Sequence, residues 1–139
     1  MSDLTAFFAQ NAIKNENVKF AASRRFVGAD KKPMEWEICG ITSEEDESIR
    51  KSCVKVVSDG KGKRRQETDF NAYLGKLAAR CTVFPNLNDA SLQDSYKVMG
   101  ADVLLKTMLN PGEYSNYIAK VQEVNGFETM PELVEEAKN

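Results

Sequence analysis

Apolar residues recur at two different spacings along this chain, and the first spacing predicts strands. Between residues 17–26 apolar and polar residues alternate, and the alternation returns at 34–41 after a loop of turn-forming residues. Alternation places every second side chain on one face of a strand. We therefore expect an antiparallel β-hairpin over residues 17–41, with the single tryptophan, Trp36, anchoring it to a helical layer.

Helical spacing dominates the chain after the predicted hairpin. The clearest repeat places apolar residues at i, i+3, i+4, i+7, i+8 and i+11, namely Phe70, Tyr73, Leu74, Leu77, Ala78 and Cys81. Such a repeat is typical of a helix with one buried face, so we expect this helix to be central. The predicted helices span about residues 43–57, 67–83, 89–99, 101–109 and 111–125.

Polar residues that cap helices stand in front of three of these segments. Thr42 or Ser43 can cap the first helix, and four consecutive acidic residues follow at the positive end of its dipole. Asn88 or Asp89 can cap the third helix, and Asn110 the last. The acidic run therefore has a structural explanation that requires no ligand.

The first residues form another short amphipathic pattern. Leu4, Phe7 and Phe8 fall at helical spacing within residues 2–13. We predict a short helix there that docks on the domain by one aromatic face.

The last segment, residues 127–139, is acidic but keeps apolar residues at intervals. Phe127, Met130, Leu133 and Val134 are spaced as on one face of a helix. Such a helix either docks back on the domain or lies in a groove of a partner protein, and the sequence leaves both interpretations open.

Residues 58–68 are the most basic part of the chain. They contain Lys61, Lys63, Arg64 and Arg65, two glycines and no apolar residue. This composition predicts an exposed, mobile loop whose charge balances acidic surfaces. The alternative is a nucleic-acid contact through the four basic side chains, which we favour less because no aromatic residue is interleaved for base stacking.

Length and composition indicate one soluble domain, and the spacing of its apolar residues predicts an α+β fold. The chain has 139 residues, a net charge of −2 and 42% hydrophobic residues, which is enough for a single core over residues 1–126. The fold expected is a mostly helical layer with the amino-terminal hairpin packed on it. Neither an export signal nor a membrane span is expected, and three widely spaced cysteines fit a reducing cytoplasm.

The residue types present argue against catalysis. The chain has no histidine, which removes the commonest proton carrier near neutral pH and the common nucleophile pairs. Its cysteines are too far apart for a zinc site, and the Gly60–Arg65 segment lacks the pattern of a phosphate-binding loop. We therefore predict no enzyme activity, no metal and no cofactor.

Several long strings resemble a known family. WEI followed by TSEEDE, then FPNLNDASLQDSY and MGADVLLKTMLNPGEY, resemble the XkdN-like phage tail assembly chaperones found in prophages of Gram-positive bacteria. The resemblance extends over roughly residues 4–127. It implies a non-catalytic protein that binds the tape measure protein, and the tail tube protein as a second potential partner, in the bacterial cytoplasm. It also implies that the protein is absent from the mature virion.

The family supplies no established motif of partner-binding residues, so the predicted contacts rest on side-chain type. Aromatic and methionine side chains give adaptable apolar contact. The predicted partner-binding residues are Tyr96, Met99, Tyr114, Tyr117, Phe127, Met130 and Leu133. The alternatives are a small nucleic-acid-associated regulator and a structural tail subunit, and the sequence leaves self-association and a longer frameshifted product open.

Overall fold

Short strands alternate with helices along the chain. The structure is a computed structural model that describes residues 3–127. In chain order it contains a 3-10 helix at Asp3–Phe7, β1 at Val18–Phe20, β2 at Trp36–Ile38, α1 at Ser43–Ser52, β3 at Val54–Ser58, β4 at Arg64–Thr68, α2 at Phe70–Cys81, β5 at Thr82–Phe84, α3 at Ala90–Ser95, α4 at Ala101–Met108 and α5 at Pro111–Val124. The predicted α+β class is confirmed.

The predicted amino-terminal hairpin is present, with shorter strands and an additional partner. β1 and β2 are antiparallel, with Val18 opposite Ile38 and Phe20 opposite Trp36. On its other edge β2 pairs with β5, giving the strand order β1-β2-β5. β5 begins at a residue that the sequence pattern assigned to the helix 67–83, because a helical period cannot show where a buried helix becomes an extended segment.

The helix α2 lies at the centre of the domain, as its repeat predicted. It contacts α1, α4, α5 and β5, and its buried residues include Tyr73, Leu77 and Cys81. The hairpin is anchored through Trp36, whose ring centroid lies 5.2 Å from that of Tyr117 on α5 in an edge-on arrangement. The tryptophan therefore joins the sheet to the helical layer.

The predicted helix caps are confirmed. The Thr42 side chain accepts a hydrogen bond from the Glu45 backbone N–H, and the Asp89 side chain accepts one from the Leu92 N–H. Asn110 forms a reciprocal capping box with Glu113. These contacts satisfy amides that have no partner within the helix, which fixes where each helix begins.

The region after α1 differs from the prediction. The helix ends at Ser52 rather than 57, and residues 54–68 form an antiparallel hairpin in which Val54 lies opposite Thr68 and Ser58 opposite Arg64. The predicted loop at 58–68 is therefore wrong for its second half, which is strand β4. Val56, which lies within the predicted helix 43–57, is 61% exposed. β-branched valines favour the extended conformation here.

A polar turn explains why this hairpin forms. The Asp59 carboxylate accepts hydrogen bonds from the backbone N–H groups of Lys61 and Lys63. Gly60 and Gly62 both have positive φ, 80° and 82°, a conformation that glycine adopts without steric cost. At the base, the Asp69 N–H donates to the Cys53 carbonyl at 2.6 Å.

The amino-terminal segment also differs from the prediction. Its regular part is the 3-10 helix Asp3–Phe7, in which no residue is buried. The expected docking by an aromatic face is wrong within the described residues, because the Phe7 side chain is 81% exposed. At the other end, the predicted tail beyond Phe127 lies outside the described residues.

Candidate partner-binding surfaces

Tyr117, one of the predicted partner-binding residues, lies in the core. Its hydroxyl is 2.6 Å from the Thr82 hydroxyl, which itself donates to the Ala78 carbonyl. Because the single Thr82 proton is used in that bond, Tyr117 is the donor to Thr82. Burial raises the pKa of Tyr117 above its ordinary value. A partner could reach this ring only if the core opened, and we base no surface on it.

Tyr96 and Tyr114 are half-buried at the margin of the core. A Cβ atom added to Gly75 would lie 3.3 Å from the Tyr114 hydroxyl oxygen and 3.3 Å from Cε of Lys106. The glycine therefore allows α4 and α5 to approach α2 closely. Burial is also the main reason that the pKa of Tyr114 is raised. Both tyrosines contribute to internal packing and leave only part of their rings to a partner.

Met99 is the predicted residue that is most open to solvent. Its side chain is 89% exposed, and Val103 on the first turn of α4 is exposed as well. Phe127 is exposed at the end of the described chain, whereas Met130 and Leu133 lie outside the described residues. The predicted set is thus divided between the interior and the surface, and its role in partner binding stays a prediction.

A group of exposed apolar side chains outside the predicted set lies in the amino-terminal segment, residues 3–13. Leu4, Phe7, Phe8 and Ile13 are all exposed, and Ile13 is 98% so. The Asn11 backbone N–H donates to the Phe8 carbonyl at 2.9 Å, and the Asn11 side chain donates to the Thr5 carbonyl at 2.9 Å. Local hydrogen bonds therefore hold the segment, while its apolar side chains point away from the core.

The second exposed feature is the hairpin of residues 54–68, which we call the basic arm. Lys61 and Lys63 lie in its turn, and Arg64 and Arg65 lie in β4. Glu67 lies 3.9 Å from Lys55 and 3.6 Å from Arg65. No aromatic residue occurs within the arm, so the arm has no side chain on which a base could stack. Nucleic-acid binding by the arm stays a prediction.

The most closely connected polar cluster joins two helices. The Tyr73 hydroxyl, the Arg50 guanidinium and the Asp46 carboxylate are mutually hydrogen-bonded. Burial raises the pKa of Tyr73 to about 12, and its hydrogen bond to Asp46 adds to the rise. Burial would raise the pKa of Asp46, but its hydrogen bonds from Tyr73 and Arg50 outweigh burial and lower it. Each group is stabilised in its ordinary charge state, which favours a structural role.

A polar cleft of about 530 Å³ lies between the start of α1 and the end of α5, lined by Asn17, Thr42, Glu45 and Glu123 among others. Its carboxylates already have partners, because Arg80 lies 2.5 Å from Glu45 and Lys120 lies 3.3 Å from Glu123. Among residues 3–127, no group of three histidine, cysteine or acidic side chains is placed to hold a metal ion. No helix in the same range is long and apolar enough to cross a membrane.

The fold is that of a small α+β domain with exposed apolar segments, and comparison with known proteins gives its family. The model of the phage XkdN-like tail assembly chaperone proteins matches residues 4–138. The chain therefore belongs to the XkdN-like phage tail assembly chaperone family.

Two relatives come from Bacillus subtilis (strain 168). The chain is 30% identical over 140 residues to the "Phage-like element PBSX protein XkdN", covering 99% of this chain and 94% of that protein. It is 31% identical over 140 residues to the "Uncharacterized protein YqbN", covering 99% and 93% respectively. The crystal structure of the protein YqbN superimposes with a TM-score of 0.77 at 26% identity, covering 92% of this chain and 99% of that one.

Proposed function

We propose that this protein is a non-catalytic chaperone that binds the tape measure protein while the phage tail is assembled. Family membership supports a role in tail assembly. The observation that carries the more specific proposal is the exposure of Phe7 and Ile13, together with Leu4 and Phe8, on an amino-terminal segment that buries none of its helical residues. A long helical partner with apolar stripes needs such side chains to cover it.

The size of this surface suits binding that is later reversed. Covering one fully exposed large apolar side chain contributes roughly 1.5–3 kcal/mol. The segment offers only a few such side chains, and association costs on the order of 4–15 kcal/mol in lost freedom of motion. One contact is therefore weak, and several copies along a long partner would be needed to keep that partner soluble.

The polar groups support a role without catalysis. The chain contains no histidine. The Asp46 and Arg50 side chains are hydrogen-bonded to each other and to Tyr73. The shifted pKa values of these three groups therefore have a structural explanation. We propose that the protein acts in the host cytoplasm and leaves before the tail is complete.

The experiment is co-expression with the tape measure protein encoded by the same phage or prophage. We expect the intact chain to raise the soluble yield of that protein and to elute with it on a sizing column. A variant with Phe7→Ser, Phe8→Ser and Ile13→Ser should lose both effects while its circular dichroism spectrum stays unchanged. No rise in yield with the intact chain would contradict the proposal.

A matched control separates the two exposed apolar regions. The variant with Met99→Ser and Val103→Ser also removes exposed apolar side chains, but from the region around the start of α4. We expect it to keep most of the solubilising effect. If this variant loses the effect and the amino-terminal variant retains it, the proposed surface is wrong although the chaperone role stands.

The proposed departure from the finished tail has its own test. Mass spectrometry of purified particles should detect the tail tube protein and the tape measure protein but not this chain. Its presence there in a fixed ratio to the tail tube protein would make it a structural tail subunit.

A further inference from the structure

We propose that the outer face of the basic arm is the docking site for this chain's own acidic segment, residues 128–139. This inference does not depend on which phage tail protein the chain binds. It starts from the pairing of the arm: within residues 3–127, the strands β3 and β4 pair only with each other. A two-stranded hairpin is marginally stable in water unless one of its faces is covered.

The strand register separates the two faces of the arm. Cross-strand partners share a face, so Val54 and Thr68, Val56 and Gln66, and Ser58 and Arg64 lie on one side. Lys55, Val57, Arg65 and Glu67 lie on the other. Val57 and Glu67 on this second side are half-buried, whereas Val54 and Val56 on the first side are exposed. The first side therefore faces away from the core, and we call it the outer face.

The outer face presents exposed apolar side chains next to positive charges: Arg64 lies on this face, and Lys61 and Lys63 lie in the adjoining turn. Val54 and Val56 are exposed on it. In the part of the chain that the structure describes, no carboxylate forms an ion pair with Lys61, Lys63 or Arg64. Its ideal ligand is thus an acidic segment that also carries apolar side chains.

Charge identifies residues 128–139 as that segment. The arm contains five basic and two acidic residues, a net charge of +3, although the whole chain has a net charge of −2. Residues 128–139 contain four glutamates and one lysine, a net charge of −3, together with Met130, Leu133 and Val134. The two segments therefore match in charge and in apolar content, whereas two arms from separate copies would repel each other.

Distance also permits this contact. Phe127 lines a small pocket with Thr42, Ser43 and Asp46 at the start of α1, and the arm begins just after the other end of that helix. The ten residues of α1 extend about 15 Å. Twelve residues beyond Phe127 reach up to about 40 Å when extended. The acidic first turn of α1 repels the glutamates, which favours the basic end.

The consequence is protection of a surface that would otherwise aggregate. Exposed apolar side chains on an uncovered face favour association with other chains. A segment of opposite charge lying on the outer face covers the valines and neutralises the arm at the same time. This contact should weaken at about 0.5 M salt, because exposed charges are then screened.

The test places a nitroxide on the acidic segment of the full-length chain through Ala137→Cys, with Cys39→Ser to remove the partly exposed native thiol. We expect the amide signals of residues 54–68 to lose most of their NMR intensity, and other surface signals to keep theirs. Reversing the arm charges (Lys61→Glu, Lys63→Glu, Arg64→Glu) should restore the arm signals. Reversing the charges of the acidic segment (Glu132→Lys, Glu135→Lys, Glu136→Lys) should also restore the arm signals.

Combining both reversals provides the decisive measurement, because attraction returns and the arm signals should be lost again. The matched control reverses three exposed lysines outside the arm, Lys14, Lys32 and Lys76, and should leave the arm signals weak. Arm signals unaffected by the nitroxide in the intact chain would overturn the proposal. Loss of the arm signals of an isotope-labelled chain without nitroxide, on addition of an unlabelled nitroxide-bearing chain, would assign the face to a second copy and also overturn the proposal.

A gel shift with DNA and RNA completes the test. We expect no retardation at low salt by the intact chain. Retardation that is abolished by the arm reversal and unchanged by the tail reversal would assign the arm to nucleic acid, which overturns docking of the segment.

Discussion

The Tyr73 hydroxyl on α2 donates a hydrogen bond of 2.5 Å to Oδ1 of Asp46 on α1. Arg50 joins the pair, donating from Nε to Oδ2 of Asp46 at 2.9 Å and from its terminal nitrogen to the Tyr73 oxygen at 3.1 Å. The Arg50 guanidinium also lies 4.2 Å from the centroid of the Tyr73 ring. These contacts attach α1, and with it the base of the basic arm, to the central helix.

Replacing the carboxylate of this cluster should destabilise the fold in a pH-dependent way. Asp46→Asn is expected to cost about 2 kcal/mol of unfolding free energy at pH 7, because hydrogen bonds to a charged group are lost. The pKa of Asp46 in the folded chain is lowered from 3.8. Its contribution is therefore complete above about pH 4 and is lost as pH falls through the lower folded value.

Urea denaturation of both chains between pH 7 and pH 2 measures this difference. The gap between them should shrink below the ordinary aspartate pKa. Glu47→Gln is the control, since Glu47 forms only an exposed pair with Lys51, and it should change stability by less than about 0.5 kcal/mol. A constant gap across the whole pH range would contradict the role given to the Asp46 carboxylate.

Tyr117→Phe tests whether this residue is a core residue. The substitution removes the bond to Thr82 but leaves no donor unpaired, because Thr82 still donates to the Ala78 carbonyl at 2.7 Å. We expect a loss of about 1 kcal/mol by chemical denaturation, with no change in solubilisation of the tape measure protein. A large loss of solubilisation in a stably folded Tyr117→Phe chain would show that the hydroxyl contacts the partner.

The start of α5 depends on a reciprocal cap that can be removed with one substitution. The Asn110 side chain accepts from the Glu113 N–H at 2.9 Å, and the Glu113 carboxylate accepts from the Asn110 N–H at 3.0 Å. Asn110→Ala should cost about 1 kcal/mol in thermal or urea unfolding. Asn116→Ala, at an exposed position inside the same helix, should be neutral or stabilising, and equal losses in both would argue against the cap.

The three cysteines should differ in reactivity. Burial raises the pKa of the Cys81 thiol to about 11, and both Cys53 and Cys81 are buried while Cys39 is half-buried. Since the thiolate is the reactive form, iodoacetamide at pH 8 should modify Cys39 first. Mass spectrometry of tryptic peptides should find Cys81 modified only after denaturant is added. Rapid modification of Cys81 in the folded chain would contradict this packing.

Local signals in the sequence predicted much of this fold. Thr42, Asp89 and Asn110 cap their helices as expected, because capping depends on a few adjacent residues. The alternation of apolar and polar residues predicted the antiparallel pairing of β1 with β2, in which Phe20 lies opposite Trp36. The long helical repeat predicted the central position of α2.

The basic arm is where local reasoning failed. Ile49, Cys53 and Val56 fit a helical stripe, although the valines of residues 54–57 and the following Asp59–Gly60 pair were a hairpin signal of similar strength. β4 has no apolar residue, so periodicity could not detect it. Only its pairing with β3 identifies it as a strand.

By itself, the sequence determined the α+β class, the helix starts, the absence of histidine chemistry and the family, since each is present in local or ordered strings of residues. The tertiary structure alone decided which apolar side chains are open. The sequence predicts both Tyr117 and Met99 as partner contacts. In the structure Tyr117 is fully buried, whereas Met99 is 89% exposed. Exposure depends on which distant elements cover a side chain, and a linear pattern does not contain that information.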